Sequence, residues 1–244
     1  MIADGFAFRA ENRTIRPIIN FSEVRLENLI GIDAQIKQLK INTEAFLSDK
    51  PFLDVLLWGE RGCGKSSLVK ALVNNYREKG LKIIQIPTDE ATFIYEIYEL
   101  ISAYKTSKFI LFFDDISFDE QNESYRKFKS SIEGGLEEKP KNAMIIATSN
   151  KRHLIKDEVL KTDSIYNADE ISEQMSLYAR FGLVISFRMP DKETYLKIVE
   201  YYLEQYRLSK FPNWDKEALA FAISKGARSG RVAKQFVISK LLQL

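Results

Sequence analysis

The sequence predicts an α/β fold, a parallel sheet flanked by helices with a small all-α unit at its C-terminal end, and three observations carry the prediction. The apolar run Val55-Leu56-Leu57-Trp58 passes through a glycine-rich loop into residues 67–73, which are apolar at helical spacing. Several later runs are apolar on both faces, as strands covered by helices on both sides must be. Beyond Pro190 such runs cease and three helical patterns follow. The chain therefore divides into an N-terminal arm (1–25), an α/β domain (26–189) and a helical domain (190–244).

Taken in order, residues 1 to about 30 scatter Phe6, Phe8, Ile15, Ile18 and Ile19 among charges, the pattern of an arm lying across a domain. Asp33 is a candidate N-cap for a helix over Ala34 to Leu47. After the first strand, loop and helix, a strand is predicted at Leu81–Ile86, a helix from about Glu90 to Tyr104 and a strand at Phe109–Phe113. A helix from about Glu123 to Glu133 closes at Gly134-Gly135, and a strand follows at Ala143–Thr148. Residues 151–176 are charged with few apolar repeats and read as a long surface insertion. A last strand, Leu183–Phe187, ends before Pro190, and helices are predicted at about Asp191–Tyr206, Asp215–Lys225 and Ser229–Leu242.

At 244 residues, 45% of them hydrophobic, the chain can bury a substantial core. Lys+Arg 36 against Asp+Glu 34 leave a net charge of +2, which argues against a sequence-independent grip on nucleic acid or an anionic membrane and leaves room for local basic patches. The single cysteine, Cys63, excludes an intramolecular disulfide and fits a reducing compartment. No apolar run reaches membrane-spanning length and no signal-peptide core opens the sequence, so no membrane is expected and the cytoplasm is the expected location.

The loop Gly59-Glu60-Arg61-Gly62-Cys63-Gly64-Lys65-Ser66 fits the pattern G-x-x-x-x-G-K-[ST] between a strand and a helix. Its glycines let the backbone curl so that successive N–H groups and a helix N-terminus point at one anion. Lys65 is then placed to reach the β- and γ-phosphates of a nucleoside triphosphate, and Ser66 to ligate Mg²⁺. Such a site needs an acid at the end of a neighbouring strand to hold the metal's water shell, and a carboxylate to orient an attacking water. Asp114 and Asp115 follow the apolar run Phe109–Phe113, and two adjacent carboxylates at the end of a buried strand call for a cation nearby. Asp114 is the expected Mg²⁺ residue and Asp115 the water-polarising one; a plain turn at the strand end is the alternative. Asn150, after Ala147-Thr148-Ser149, can hydrogen-bond the water or the γ-phosphate, although asparagine also ends strands for turn reasons alone.

Together with Arg180-Phe181-Gly182 before the last strand and Gly230-Arg231-Val232-Ala233 in the terminal helical region, these motifs resemble those of the AAA+ ATPases, in order and spacing over roughly residues 25–244. Leu57-Trp58-Gly59, the stretch from Phe112 to Phe118, Ala147 to Leu154 and Arg228 to Ala233 are similar to a bacterial group of stand-alone AAA+ ATP-binding proteins of unassigned biological function. The resemblance implies a five-stranded parallel sheet, a C-terminal helical lid, ATP and Mg²⁺ as cofactors, and rings or other homo-oligomers. It makes Lys65 and Ser66 Walker A residues, Asp114 and Asp115 the Walker B pair, and Asn150 sensor 1. Arg231 matches sensor 2, the lid arginine that touches the γ-phosphate in cis, with Arg228 as fallback. Arg180 matches the arginine finger that a neighbouring subunit inserts. A guanidinium suits both tasks because it stays charged and binds phosphate oxygens as a fork. The implied nucleotide contacts are Gly59, Glu60, Arg61, Gly62, Cys63, Gly64, Lys65, Ser66 and Ser67, joined by Ile32. One departure is that many AAA+ motors carry Asp-Glu where this chain has Asp114-Asp115; the shorter Asp115 leaves slow turnover, or a nucleotide-controlled switch, open.

The expected function is Mg²⁺-dependent binding and hydrolysis of ATP to ADP and phosphate in an oligomer whose sites are completed across subunits, acting on a protein or nucleoprotein client that the sequence does not name. The rival is a slow-hydrolysing, ATP-controlled assembly or loading switch on DNA or a replication helicase, favoured by Asp-Asp and opposed by the near-neutral charge. A phosphotransferase on the same loop is a third reading, without an acceptor-lid pattern to support it. His153 reads as a surface or turn residue, and Cys63 as an incidental occupant of a variable loop position. Tyr95, Tyr98, Tyr201, Tyr202 and Tyr206 read as packing, and Lys139-Pro140-Lys141 as a short basic loop.

Overall fold

Uninterrupted runs of branched and aromatic side chains make strands that only a two-sided cover can shield. A computed structural model describes residue 2 and residues 4–116, 123–133, 138–150 and 180–243, and shows that arrangement. The predicted insertion at 151–176, His153 and the helix stop at Gly134-Gly135 lie outside the described residues. The strands are β1 (Ala7–Glu11), β2 (Thr14–Pro17), β3 (Val55–Gly59), β4 (Leu81–Gln85), β5 (Lys108–Phe113), β6 (Ala143–Ser149) and β7 (Leu183–Phe187). They form one sheet in the order β2-β1-β4-β5-β6-β3-β7, in which β1 and β2 pair antiparallel and every other pairing is parallel.

The sheet thus has seven strands among the described residues, not the five expected, because part of the N-terminal arm joins it. β1 buries Ala7, Phe8 and Ala10 and lies parallel to β4, with Ala7 opposite Ile83. The hairpin turns at Asn12 and Arg13, whose φ values of +50° and +52° are left-handed. The Glu90 carboxylate accepts both of their backbone N–H groups, at 2.8 and 3.2 Å, and holds that turn. Ahead of β1, the buried Lys82 ammonium donates to the carbonyls of Ile2 (2.8 Å) and Gly5 (2.7 Å). Burial lowers the Lys82 pKa, with Asp4 acting in the opposite sense.

The helices are α1 (Asp33–Leu47), α2 (Lys65–Tyr76), α3 (Ile94–Ser102), α4 (Glu123–Glu133), α5 (Lys192–Gln205), α6 (Trp214–Ser224) and α7 (Gly230–Leu241). On one face of the sheet, Leu39 and Phe46 of α1 and Leu68 and Leu72 of α2 pack on Leu57, Ile110 and Ile146. On the other, Ile97 of α3 and Phe128 of α4 pack on Leu56, Leu111 and Phe113. The last three helices enclose their own core around Tyr195, Val199 and Phe236. Two boundaries differ from expectation. Asp33 is the first helical residue, preceded by Ile32 as N-cap, so its carboxylate acts through the helix dipole and not as a cap. The helix expected from Glu90 to Tyr104 opens as a 3-10 turn over Thr88–Phe93, where Glu90 is engaged with the hairpin, and its α portion ends at Ser102.

From β3 the chain crosses to β4 past β5 and β6, whereas from β6 it crosses to β7 on the far side of β3. Connections from these two adjacent strands diverge, which opens a crevice at their C-terminal ends, where open α/β sheets hold ligands. Among the described residues, no helix is long and apolar enough to cross a membrane.

Candidate functional site

The loop after β3 fills that crevice. It starts at Gly59 (φ +133°), where a Cβ would lie 1.9 Å from the Phe187 carbonyl oxygen of β7. It ends at Gly64 (φ +96°), the N-cap of α2. Lys65, the first residue of α2, is only 5% exposed, and its ammonium donates to the carbonyls of Gly59 and Glu60 (both 2.8 Å) and to Asn150 Oδ1 (2.7 Å). Burial lowers its pKa, partly offset by neighbouring acidic groups that include Asp114 and Asp115.

β5 and β6 deliver the carboxylates side by side. Asp114 Oδ1 accepts two hydroxyl protons, from Ser66 Oγ at 2.6 Å and from Thr148 Oγ1 at 2.7 Å. Asp115 has left-handed backbone (φ +57°), and its N–H donates to Thr148 Oγ1 at 2.8 Å. Asn150 bridges the site, its Nδ2 donating to Asp115 Oδ1 while its Oδ1 accepts from Lys65.

The helical domain closes the crevice from above. Ser229 caps α7 by accepting from the Val232 N–H, and the Gly230 N–H donates to the Gly62 carbonyl of the loop at 3.2 Å. Gly62 (φ +76°) has no room for a side chain, since a Cβ would lie 2.8 Å from Ser229 Oγ. Ile30 packs into the helical core and Ile32 into the sheet's core, with Gly31 between them against Thr194 of α5.

These elements line a cleft of about 920 Å³. Its charged lining is Arg61, Lys65, Lys70, Arg188, Arg231 and Lys234 against Asp114, Asp115 and Asp191, a cationic excess in a chain of net charge +2. Such a cleft suits a polyanion. Among the described residues no three His, Cys, Asp or Glu side chains gather as a metal cage. The Ser66 and Asp114 oxygens are the donor set that suits Mg²⁺ held mainly by a ligand's phosphates and by water.

Of the residues singled out from the sequence, Arg61, Gly62, Cys63, Gly64, Lys65, Ser66, Ser67, Ile32, Asp114, Asp115, Asn150 and Arg231 line this one cleft. Gly59 and Glu60 stand behind it, turning their carbonyls to Lys65. Arg180 and Arg228 are exposed and outside the lining. Sequence reasoning missed Thr148, Arg188 and Lys234. Lys234 was within reach, three residues past Arg231 and so on the same helix face. Tyr201 and Tyr202, whose spacing reads as packing, both line the cleft with their rings 5.2 Å apart, and Tyr202 also packs on the helical core. The basic loop is tied down where Lys139 pairs with Asp54.

A sequence-family profile described as "Protein of unknown function (DUF815)" matches residues 2–242. No curated protein matches the chain.

Proposed function

Because the chain belongs to the DUF815 family, whose description assigns no activity, we propose from the site itself that it is a Mg²⁺-dependent ATP-binding and ATP-hydrolysing protein of the AAA+ P-loop class. The observation that carries this reading is the buried Lys65 at the N-terminus of α2, wrapped by the loop and joined through Asn150 and Ser66 to the two carboxylates. In this reading β3 to β7 are the nucleotide-binding core, β1 and β2 an extension of its edge, and the last three helices the lid. Loop N–H groups and the α2 N-terminus bind the phosphates, and Lys65 turns from the loop carbonyls to them. Mg²⁺, held by Ser66, Asp114, phosphate oxygens and water, would neutralise phosphate charge. Asp115 and Asn150 orient the attacking water, and Arg231 contacts the γ-phosphate from the lid. Arg180, outside the cleft of its own chain, completes the site of a neighbouring subunit.

ATP turnover per molecule, measured over a wide range of protein concentration with Lys65→Ala as blank, tests the reading. Specific activity is expected to climb with concentration and to vanish in Lys65→Ala. Arg180→Ala should lose turnover by about 10³-fold or more while keeping ATP bound. A wild-type chain that does not bind Mg·ATP overturns the assignment. A second reading, an ATP-controlled assembly or loading switch, is favoured by the short Asp115 carboxylate, already engaged by Asn150. Flat, negligible turnover with ATP bound selects it, and anisotropy titrations with single-stranded and duplex DNA, with and without ATP, test a DNA client.

A further inference from the structure

Resting on the ATP-site reading above, we infer that Thr148 is the positioning residue that sets both carboxylates of the site. Its hydroxyl uses both of its capabilities at once. It donates its one proton to Asp114 Oδ1 at 2.7 Å and accepts from the Asp115 N–H at 2.8 Å. The Thr148 backbone carbonyl accepts in turn from the Ile116 N–H at 2.8 Å, so one residue of β6 holds three consecutive residues that follow β5. Parallel pairing of the two strands, with Phe113 opposite Ala147, puts it there.

Two features raise this above a satisfied core hydroxyl. Thr148 is 1% exposed, so its hydroxyl is shielded from bulk water and spends its hydrogen bonds within this cluster. The N–H it accepts belongs to Asp115, whose backbone is left-handed, a region aspartate enters more readily than most residues and which this bond helps to hold. That backbone fixes where the Asp115 carboxylate projects. Ser66 and Thr148 also divide the labour on Asp114. Ser66 is the donor that a cation would engage, whereas Thr148 keeps its proton on Oδ1 and retains the carboxylate's orientation. Groups that orient a metal-binding carboxylate in this way commonly shift metal affinity or activity by about 10–100-fold when removed.

Thr148→Val keeps the β-branched shape and deletes the hydroxyl, and Thr148→Ser keeps the hydroxyl and deletes the methyl. Affinity for a fluorescent ATP analogue is measured by anisotropy on the full chain, once in Mg²⁺ and once in EDTA, beside turnover and thermal melting. Thr148→Val is expected to bind the analogue in EDTA like the wild type, and to lose the Mg²⁺-dependent gain in affinity and the turnover by about 10–100-fold. Thr148→Ser is expected to restore both. Thr148→Ala, which lacks the hydroxyl without matching the valine shape, must repeat the loss, so a folding failure of one variant does not decide the matter. Wild-type Mg²⁺ dependence in Thr148→Val overturns the inference. So does an equal loss in Thr148→Ser, which would assign the effect to methyl packing. A wild type that binds no analogue in either buffer shows instead that the ATP reading has failed, before any variant is compared.

Discussion

Thr43 of α1 buries a hydroxyl that finds no hydrogen-bond partner among the described residues, the kind of group whose desolvation is uncompensated. Valine has the same shape without the hydroxyl. Thr43→Val should therefore stabilise the fold by about 1 kcal/mol, read as a rise of about 2–4 °C in the melting temperature of a chain this size. Cys63 offers a second single-residue test. Burial, with the Glu60 charge adding and Lys65 opposing, pushes its thiol up to about 11. A raised pKa means a neutral thiol below that pH, so alkylation by iodoacetamide should be slow at pH 8 in the folded chain and accelerate towards pH 11. Fast alkylation at pH 8 would contradict that environment. The same scale shows what a sequence reveals. Lys65, Ser66 and Asp114 stand at strand ends and helix starts that apolar patterning marks, so their convergence could be anticipated. Thr148 and Arg188 could not, because a hydroxyl or guanidinium at the end of a strand acquires meaning only beside its neighbours.

At the level of elements, the strands from β3 to β7 were legible to within a residue or two, because their apolar runs have no competing assignment. The β1–β2 hairpin was hidden for two reasons. β2 buries none of its residues, and Asn12 and Arg13 turn left-handed without the glycine that signals such a turn. The compensation comes from Glu90, 78 residues away, beyond the reach of any local pattern. The β3–β7 junction makes the sharpest element-scale prediction. Gly59→Ala sets a methyl against the Phe187 carbonyl at a φ that L-residues rarely adopt, and what it meets is the main chain of β7, not a flexible side chain. A loss of about 3 kcal/mol is expected by urea denaturation, and a change under about 1 kcal/mol would show that the loop can shift to accommodate it.

For the whole molecule, the N-terminal hairpin matters more than its position at the sheet's edge suggests. Removing residues 1–17 would bare the edge of β4 that faces β1 while leaving its pairing with β5, take Phe8 and Ala10 from the core and strip Lys82 of two carbonyl partners. The truncated chain should melt lower and self-associate through the bared edge, visible as concentration-dependent light scattering. Unchanged melting and scattering would reduce the hairpin to an ornament. The helical domain has its own core, and one of its attachments to the sheet domain is the hydrogen bond between Gly230 and Gly62. That attachment lies at the first residue of α7, and the helix extends eleven residues beyond it, about 16 Å. Because α7 is packed into the core of the three helices, any tilt about this attachment would carry the helical domain as one lever. A tilt that moves atoms by a fraction of an ångström at Gly62 sweeps the opposite tip several times farther, and that tip carries the exposed Leu241 and Leu242.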